Sequence, residues 1–195
     1  MRLDHIAYRV AQGKRDEATR FFVEAFGYKQ QGEPFEIYFD DEKKEKALCV
    51  ALEPPEKIDL NGIVPFSVWT GRLVVDVEDS VKEGRDVEYH LAPEIFISEG
   101  SEGSIVDDWV KSRGGVGGIH HLAYQTDDVI AKMKEFQNNG WAEFSSNEPM
   151  KCEGIEQIFS KPNILGVVIE FIHRTGTVGF CKENVKALMQ STKGD

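Results

Sequence analysis

The chain has 195 residues, 41% hydrophobic and 29% charged, which excludes collagen-like, disordered and disulfide-scaffold classes. No apolar run approaches the roughly 20 residues of a membrane helix, and the start, Met1-Arg2-Leu3-Asp4-His5, has no apolar signal region. Against 23 basic residues stand 34 acidic ones, a formal charge of −11, and a surface of that sign repels phosphate backbones, so neither a nucleic-acid nor a membrane partner is expected.

The first predicted element is a short strand, Asp4-His5-Ile6-Ala7-Tyr8-Arg9-Val10. A helix follows over 16–26, with Ala18, Phe21, Phe22 and Ala25 at i, i+3, i+4 and i+7 and Gly27 as its stop. Strands are predicted over 35–40, 47–53 and 94–98. Between Pro54 and Pro93 the pattern is weak: 66–77 reads as a strand and 78–86 as a turn or loop. Ile105 to Ser112, with Trp109 and Val110, reads as a linking helix. Gly114-Gly115-Val116-Gly117-Gly118 lacks a following Gly-Lys-Ser/Thr and precedes a strand, so it is a hinge and not a nucleotide loop. The next strand is His120-His121-Leu122-Ala123-Tyr124-Gln125-Thr126. Asp127 or Asp128 then caps a helix carrying Val129, Ile130, Met133 and Phe136, which ends at Asn138-Asn139-Gly140. Strands over 155–160 and 166–174 and a short helix over 182–190 complete the chain, with a frayed tail at 191–195.

Laid over each other, the strands at His5 and His121 both read x-His-aliphatic-Ala-Tyr-polar. Each precedes a helix, a terminal glycine and an aromatic residue, Tyr28 or Trp141. This repeat predicts two modules, each a copy of one β-α-β unit closed by a few further strands. Module one takes about 1–104, module two about 117–175, and a closing helix about 182–190, all in one domain. The three cysteines, Cys49, Cys152 and Cys181, form no CxxC pair. An odd, scattered count fits a reducing, cytoplasmic setting better than a disulfide framework.

Alternate strand residues share a face, so His5, Ala7 and Arg9 go together, as do His121, Ala123 and Gln125. A lone strand histidine is usually structural, but the same residue at the same repeat position can meet its copy across a pseudo-symmetric centre. Glu170 sits inside Val-Val-Ile-Glu-Phe-Ile. A buried carboxylate there needs a partner: a metal, or else Arg174, Lys161 or a solvated sheet edge. Two histidines and one carboxylate are the facial triad of non-haem ferrous iron. The first-half positions equivalent to Glu170 fall near Val50 and Phe96, neither of which coordinates, and a missing fourth ligand favours iron with open positions over four-coordinate zinc. His173 is an odd number of residues from Glu170 and faces away, and His120 is expected to face away from His121. His90 has no nameable partner, and nothing near Cys181 argues for a lowered pKa.

The two His-aliphatic-Ala-Tyr strands and Ile169-Glu170 resemble the vicinal oxygen chelate superfamily, which implies an α+β fold of two β-α-β-β-β modules, their mixed sheet curled around a metal site. Further segments, Ile97-Ser98-Glu99-Gly100, Gln157-Ile158-Phe159-Ser160-Lys161-Pro162, Val168-Ile169-Glu170-Phe171 and Gly179-Phe180-Cys181-Lys182-Glu183-Asn184, resemble the catalytic half of the 4-hydroxyphenylpyruvate dioxygenase family. That resemblance implies iron ligands at His5, His121 and Glu170. It implies substrate contacts at Gln157 and Phe159 on one strand and at Phe180 and Asn184 on a closing segment. It implies Fe(II) as cofactor, zinc, manganese, cobalt or nickel being the alternatives. The substrate it implies is a small 2-oxo acid with dioxygen as co-substrate, and the assembly a homodimer. The family's Pro-x-Asn appears here as Phe96-Ile97-Ser98, so the acid need not be 4-hydroxyphenylpyruvate. Two other readings share the fold: a Lewis-acid enzyme such as a glyoxalase or acyl-CoA epimerase, and a metal-free small-molecule binder.

Overall fold

In the computed structural model, residues 1–55, 92–152, 154–175 and 180–193 are described in full, together with the backbone of 72–75 and 87–90. The loop expected over 78–86, most of the strand expected over 66–77 and the His90 side chain lie outside the described residues.

The chain begins with strand β1 (Arg2–Val10), helix α1 (Arg15–Phe26) and strands β2 (Lys29–Gln30), β3 (Phe35–Tyr38) and β4 (Lys46–Glu53). A separate hairpin pairs β5 (Arg72–Val75) with β6 (Val87–His90). Strand β7 (Glu94–Gly100) and helix α2 (Ile105–Ser112) lead to β8 (Gly118–Gln125), α3 (Val129–Asn138), β9 (Met150–Cys152), β10 (Ile155–Phe159), β11 (Val168–Arg174) and α4 (Lys182–Ser191).

Among the described residues, nine strands form one mixed sheet in the order β2-β4-β7-β1-β8-β11-β10-β9, with β3 also on β4. The repeat is visible in the pairing. β1 runs parallel to β7, which is antiparallel to β4. In the same way β8 runs parallel to β11, which is antiparallel to β10. The two halves meet where β1 and β8 pair antiparallel. Phe96 stands opposite Ala7 as Glu170 stands opposite Ala123, so the expected equivalence of Phe96 and Glu170 holds residue by residue.

Local chemistry sets the element ends. Asp128 caps α3, its Oδ1 accepting from Ala131 N at 2.8 Å, and Ser104 caps α2. Gly27 closes α1 at φ +73°, a left-handed turn that glycine adopts without strain. Gly117 is needed for another reason: a Cβ there would lie 2.6 Å from Arg9 O, so only glycine lets the hinge approach β1 this closely.

Both faces of the sheet are packed. On one, Ala18 and Phe22 of α1 cover Val50, Leu52 and Ile97, and Val129 and Met133 of α3 cover Ile158 and Phe171. On the other, Val185 and Met189 of α4 and Val106 of α2 cover Ala7, Ala51 and Phe96. The α1 stripe is narrower than its spacing predicts, because Phe21 is 56% exposed while Phe22 packs. The cysteine expectation is corrected: a disulfide joins Cys152, at the end of β9, to Cys181, the cap of α4. Sequence count could not see this pair, which closes only when α4 folds back on the sheet. The remaining thiol, Cys49, is buried, and burial pushes its pKa up to about 12.

Candidate metal centre and its cavity

Strand alternation brings His5, Ala7 and Arg9 to the inner face of β1. The β1–β8 ladder breaks register twice. One break lies between Leu3 and His5, leaving Asp4 as the extra residue. The other leaves His120 extra on β8, between the Ala7–His121 and Tyr8–Ile119 pairs. A bulge lets two consecutive residues turn to the same side. Asp4 and His5 are therefore both buried, and so are His120 and His121. This corrects the expectation that His120 faces away from His121: it lines the same cavity.

The two copies converge as the repeat predicts. His5 Nε2 and His121 Nε2 are 3.2 Å apart. Glu170 Oε2 lies 3.3 Å from the first and 3.1 Å from the second. All three residues are nearly sealed from solvent. Donors about 2.1 Å from a common ion stand about 3.0–3.4 Å apart for angles between octahedral and tetrahedral. The observed gaps fall in that range, so the residues fit a divalent cation with three protein ligands. Two imidazoles and one carboxylate suit iron, zinc, manganese, cobalt or nickel.

Without a cation the same atoms form an ion pair. Burial pulls the His5 pKa down, but the Glu170 charge and the Asp4 hydrogen bond outweigh it, leaving about 9. Burial pushes Glu170 up, and the facing imidazoles, His5 first, bring it below the ordinary range. His121 is lowered to about 4, by burial that Glu170 offsets only in part.

The supporting shell holds the residues that the sequence did not point to. Asp4 Oδ1 lies 2.9 Å from His5 Nδ1, and Arg174 Nη2 donates to the same oxygen at 3.0 Å. Asp4 is held well below the carboxylate range: burial raises it, and His5 and Arg174 overcome that. With a cation at His5 Nε2 this would be a carboxylate–histidine–metal arrangement, which fixes the ring and its tautomer. The signal was present, since Asp4 directly precedes His5, but regular alternation places it on the other face. Gln157 Nε2 donates to Glu170 Oε1 at 2.6 Å, so the second carboxylate oxygen is left facing the histidines. Asn184 Nδ2 donates to Gln157 Oε1 at 3.1 Å, so α4 is tied to a ligand through two side-chain amides. Asn184 thus meets the site through Gln157.

Phe180 sets its ring edge-on to His5, centroids 4.9 Å apart, and Phe159 lies 4.7 Å from His121. Val185 and Leu188 of α4 complete an apolar wall. Of the cations considered for Glu170, Arg174 binds Asp4 and Lys161 binds Glu143. His173 faces away, its Nδ1 2.9 Å from Thr126 O. Among the described residues no fourth protein ligand joins the triad, and Phe96 fills the symmetric place.

No protein-family profile matches the chain, and no curated protein matches it in sequence. Solved structures do match in fold. A substituted form of 4-hydroxymandelate synthase from Streptomyces coelicolor aligns over 98% of this chain and 53% of its own, with TM-score 0.68 and 17% identity. The chain thus spans about half the length of that synthase. A methylmalonyl-CoA epimerase aligns over 89% of this chain and 95% of its own, with TM-score 0.54 and 21% identity. The methylmalonyl-CoA epimerase of Mycobacterium tuberculosis aligns over 89% and 87%, with TM-score 0.51 and 18% identity. The chain shares the fold of these structures. Among the described residues no helix is long and apolar enough to cross a membrane.

Proposed function

We propose that the protein is a ferrous, oxygen-dependent dioxygenase acting on a small 2-oxo acid. The observation that carries the reading is the three-ligand centre: His5, His121 and Glu170 converge on one side, and Phe96 stands where a fourth ligand would come from. Ferrous iron held there would supply open positions for a chelating 2-oxo acid and the redox capacity for dioxygen to react with it. The chain's own residues do the rest. Asp4 keeps the His5 proton on Nδ1 and the Nε2 lone pair turned inward. Gln157 fixes the Glu170 rotamer by holding Oε1. Phe159 and Phe180 brace the two imidazoles and exclude water from the reacting side.

The test is anaerobic ferrous titration of the metal-free protein, followed by a panel of 2-oxo acids while watching for a visible charge-transfer band. One iron per chain and a band lost in His121→Ala and Glu170→Ala are expected. Iron uptake without a band for any 2-oxo acid would remove the dioxygenase reading. Gln157→Ala should lower turnover, because Glu170 loses the donor on Oε1. Unchanged turnover and Michaelis constant would remove that role.

A second reading is a Lewis-acid enzyme acting on an acyl thioester. The observation in its favour is the match of 89% of this chain to 95% of the epimerase. Solvent-deuterium exchange into a thioester substrate under anaerobic conditions would distinguish it.

A further inference from the structure

We propose that the Cys152–Cys181 disulfide is a thiol-exchange site, and that its reduction by a dithiol frees α4 to uncover the triad. This deepens the reading above by naming a control on the same centre; it rests on the triad and needs no dioxygen chemistry.

The need for a control comes from the cavity. Its free volume is about 20 Å³, room for one water molecule. His5 and Glu170 are each 1% exposed. A 2-oxo acid does not fit beside them until a wall moves. The wall that carries no ligand is α4, which supplies Val185, Leu188 and Met189 to the cavity. Its start reaches the site twice. Phe180, just ahead of the cap, sets its ring against His5 and Phe96, with centroids 4.9 and 4.8 Å away. Asn184 donates to Gln157, which holds Glu170. Cys181 lies between the two as the cap residue. The disulfide fastens it to Cys152 on β9, a three-residue strand paired with β10. The far end of α4 is held by hydrogen bonds, from Arg9 to Thr192 Oγ1 and between the Ser145 and Ser191 hydroxyls. The covalent tie therefore sits at the end that touches the triad.

The bond is also placed for exchange. Both of its cysteines are half-buried, whereas Cys49 is sealed in the core. Attack by an outside thiolate on Cys152 Sγ expels Cys181 as a thiolate, and the N–H groups at a helix start stabilise that leaving charge. The reductant's second thiol then displaces Cys152 from the mixed disulfide. Two electrons and two protons pass to the protein, and the reductant departs as its own disulfide. Glu183 Oε2 stands 3.1 Å from Cys181 Sγ. A disulfide sulfur has no proton to offer it, but a thiol does, so reduction adds a hydrogen bond that the oxidised pair lacks.

The test follows cobalt(II), a visible probe, entering the metal-free protein in three states: oxidised, reduced by dithiothreitol that is then removed anaerobically, and reoxidised. Thiols counted in denaturant should rise from one to three per chain on reduction. Cobalt uptake should be at least about tenfold faster in the reduced state, as expected when local opening becomes easier. Stoichiometry should stay at one per chain, and reoxidation should restore the slow rate. Cys152→Ser and Cys181→Ser should take up cobalt at the fast rate with or without dithiol treatment. A rate unchanged by reduction would overturn the proposal, as would a disulfide in the folded protein that dithiothreitol leaves intact. A reduced chain that has lost its fold would overturn it too, because the bond would then be a structural staple. Should either variant fail to fold, reduction of the unsubstituted protein decides. Iron uptake without a 2-oxo acid band would remove the dioxygenase reading and leave this test untouched. If no cation binds, access is read instead from acylation of His121 by diethyl pyrocarbonate. Faster acylation after reduction supports the exchange site, and equal rates overturn it.

Discussion

His5 changes its charge when a metal arrives. With its pKa raised to about 9, it is a cation at neutral pH, paired with Glu170. A cation bound at Nε2 must displace that proton. His121, lowered to about 4, and Glu170, lowered also, have no proton to lose. Metal uptake at pH 7 should therefore release about one proton, and affinity should rise about tenfold per pH unit until pH 9. Calorimetry in buffers of different ionisation enthalpy measures this; a heat independent of buffer would refute it. The metal-free fold has the opposite slope. A raised histidine pKa contributes stability in full below about 6.5, and that contribution is lost as pH rises through about 9. Asp4→Asn removes the charge that holds His5 Nδ1 while keeping its size. Metal affinity should fall about 10- to 100-fold, with Arg174 left facing Glu94 at 4.0 Å. An unchanged affinity would mean that the ring needs no such support.

At the scale of elements, α4 is the part most exposed to change. It carries no metal ligand but covers the cavity with Val185, Leu188 and Met189. It is tied down by the Cys152–Cys181 disulfide at one end and by the Arg9–Thr192 bond at the other. The disulfide spans 29 residues, for which loop closure predicts about 3.6 kcal/mol. Cys181→Ser, or reduction, should lower Tm and speed amide exchange in α4 while metal stoichiometry stays at one. Loss of metal along with the disulfide would show that α4 helps to build the triad. The helices were legible in the sequence: α3 follows from its Asp128 cap and apolar spacing, and α2 lies where 105–112 reads as a linking helix, its Ser104 cap being seen only in the structure. The short β2 and β9 were not, because two or three residues carry no period to read. The same limit hid Asp4 and His120 as inward residues, since alternation assumes a ladder without bulges.

At the scale of the molecule, the centre belongs to neither half alone. One histidine comes from each module, and only the second supplies the carboxylate. The repeat made this legible, because the shared His-aliphatic-Ala-Tyr pattern pointed to both histidines that meet there. Phe96→Glu tests the symmetry directly. In the metal-free protein an added buried carboxylate should cost several kcal/mol, seen as a large fall in Tm. A divalent cation should restore much of it, and the band with 2-oxo acids should vanish as an open position closes. A melt insensitive to metal would show that Phe96 does not face the centre. The bulges have a further consequence for how such a chain tolerates deletion. Removing Asp4 or His120 would leave β1 and β8 paired more evenly, so by the sheet's own energetics the shorter chain is the less frustrated one. Each extra residue is instead the immediate neighbour of an imidazole of the triad. A screen that rewards folding alone should accept these two deletions more readily than others in the same strands, and a screen that rewards metal retention should reject them first.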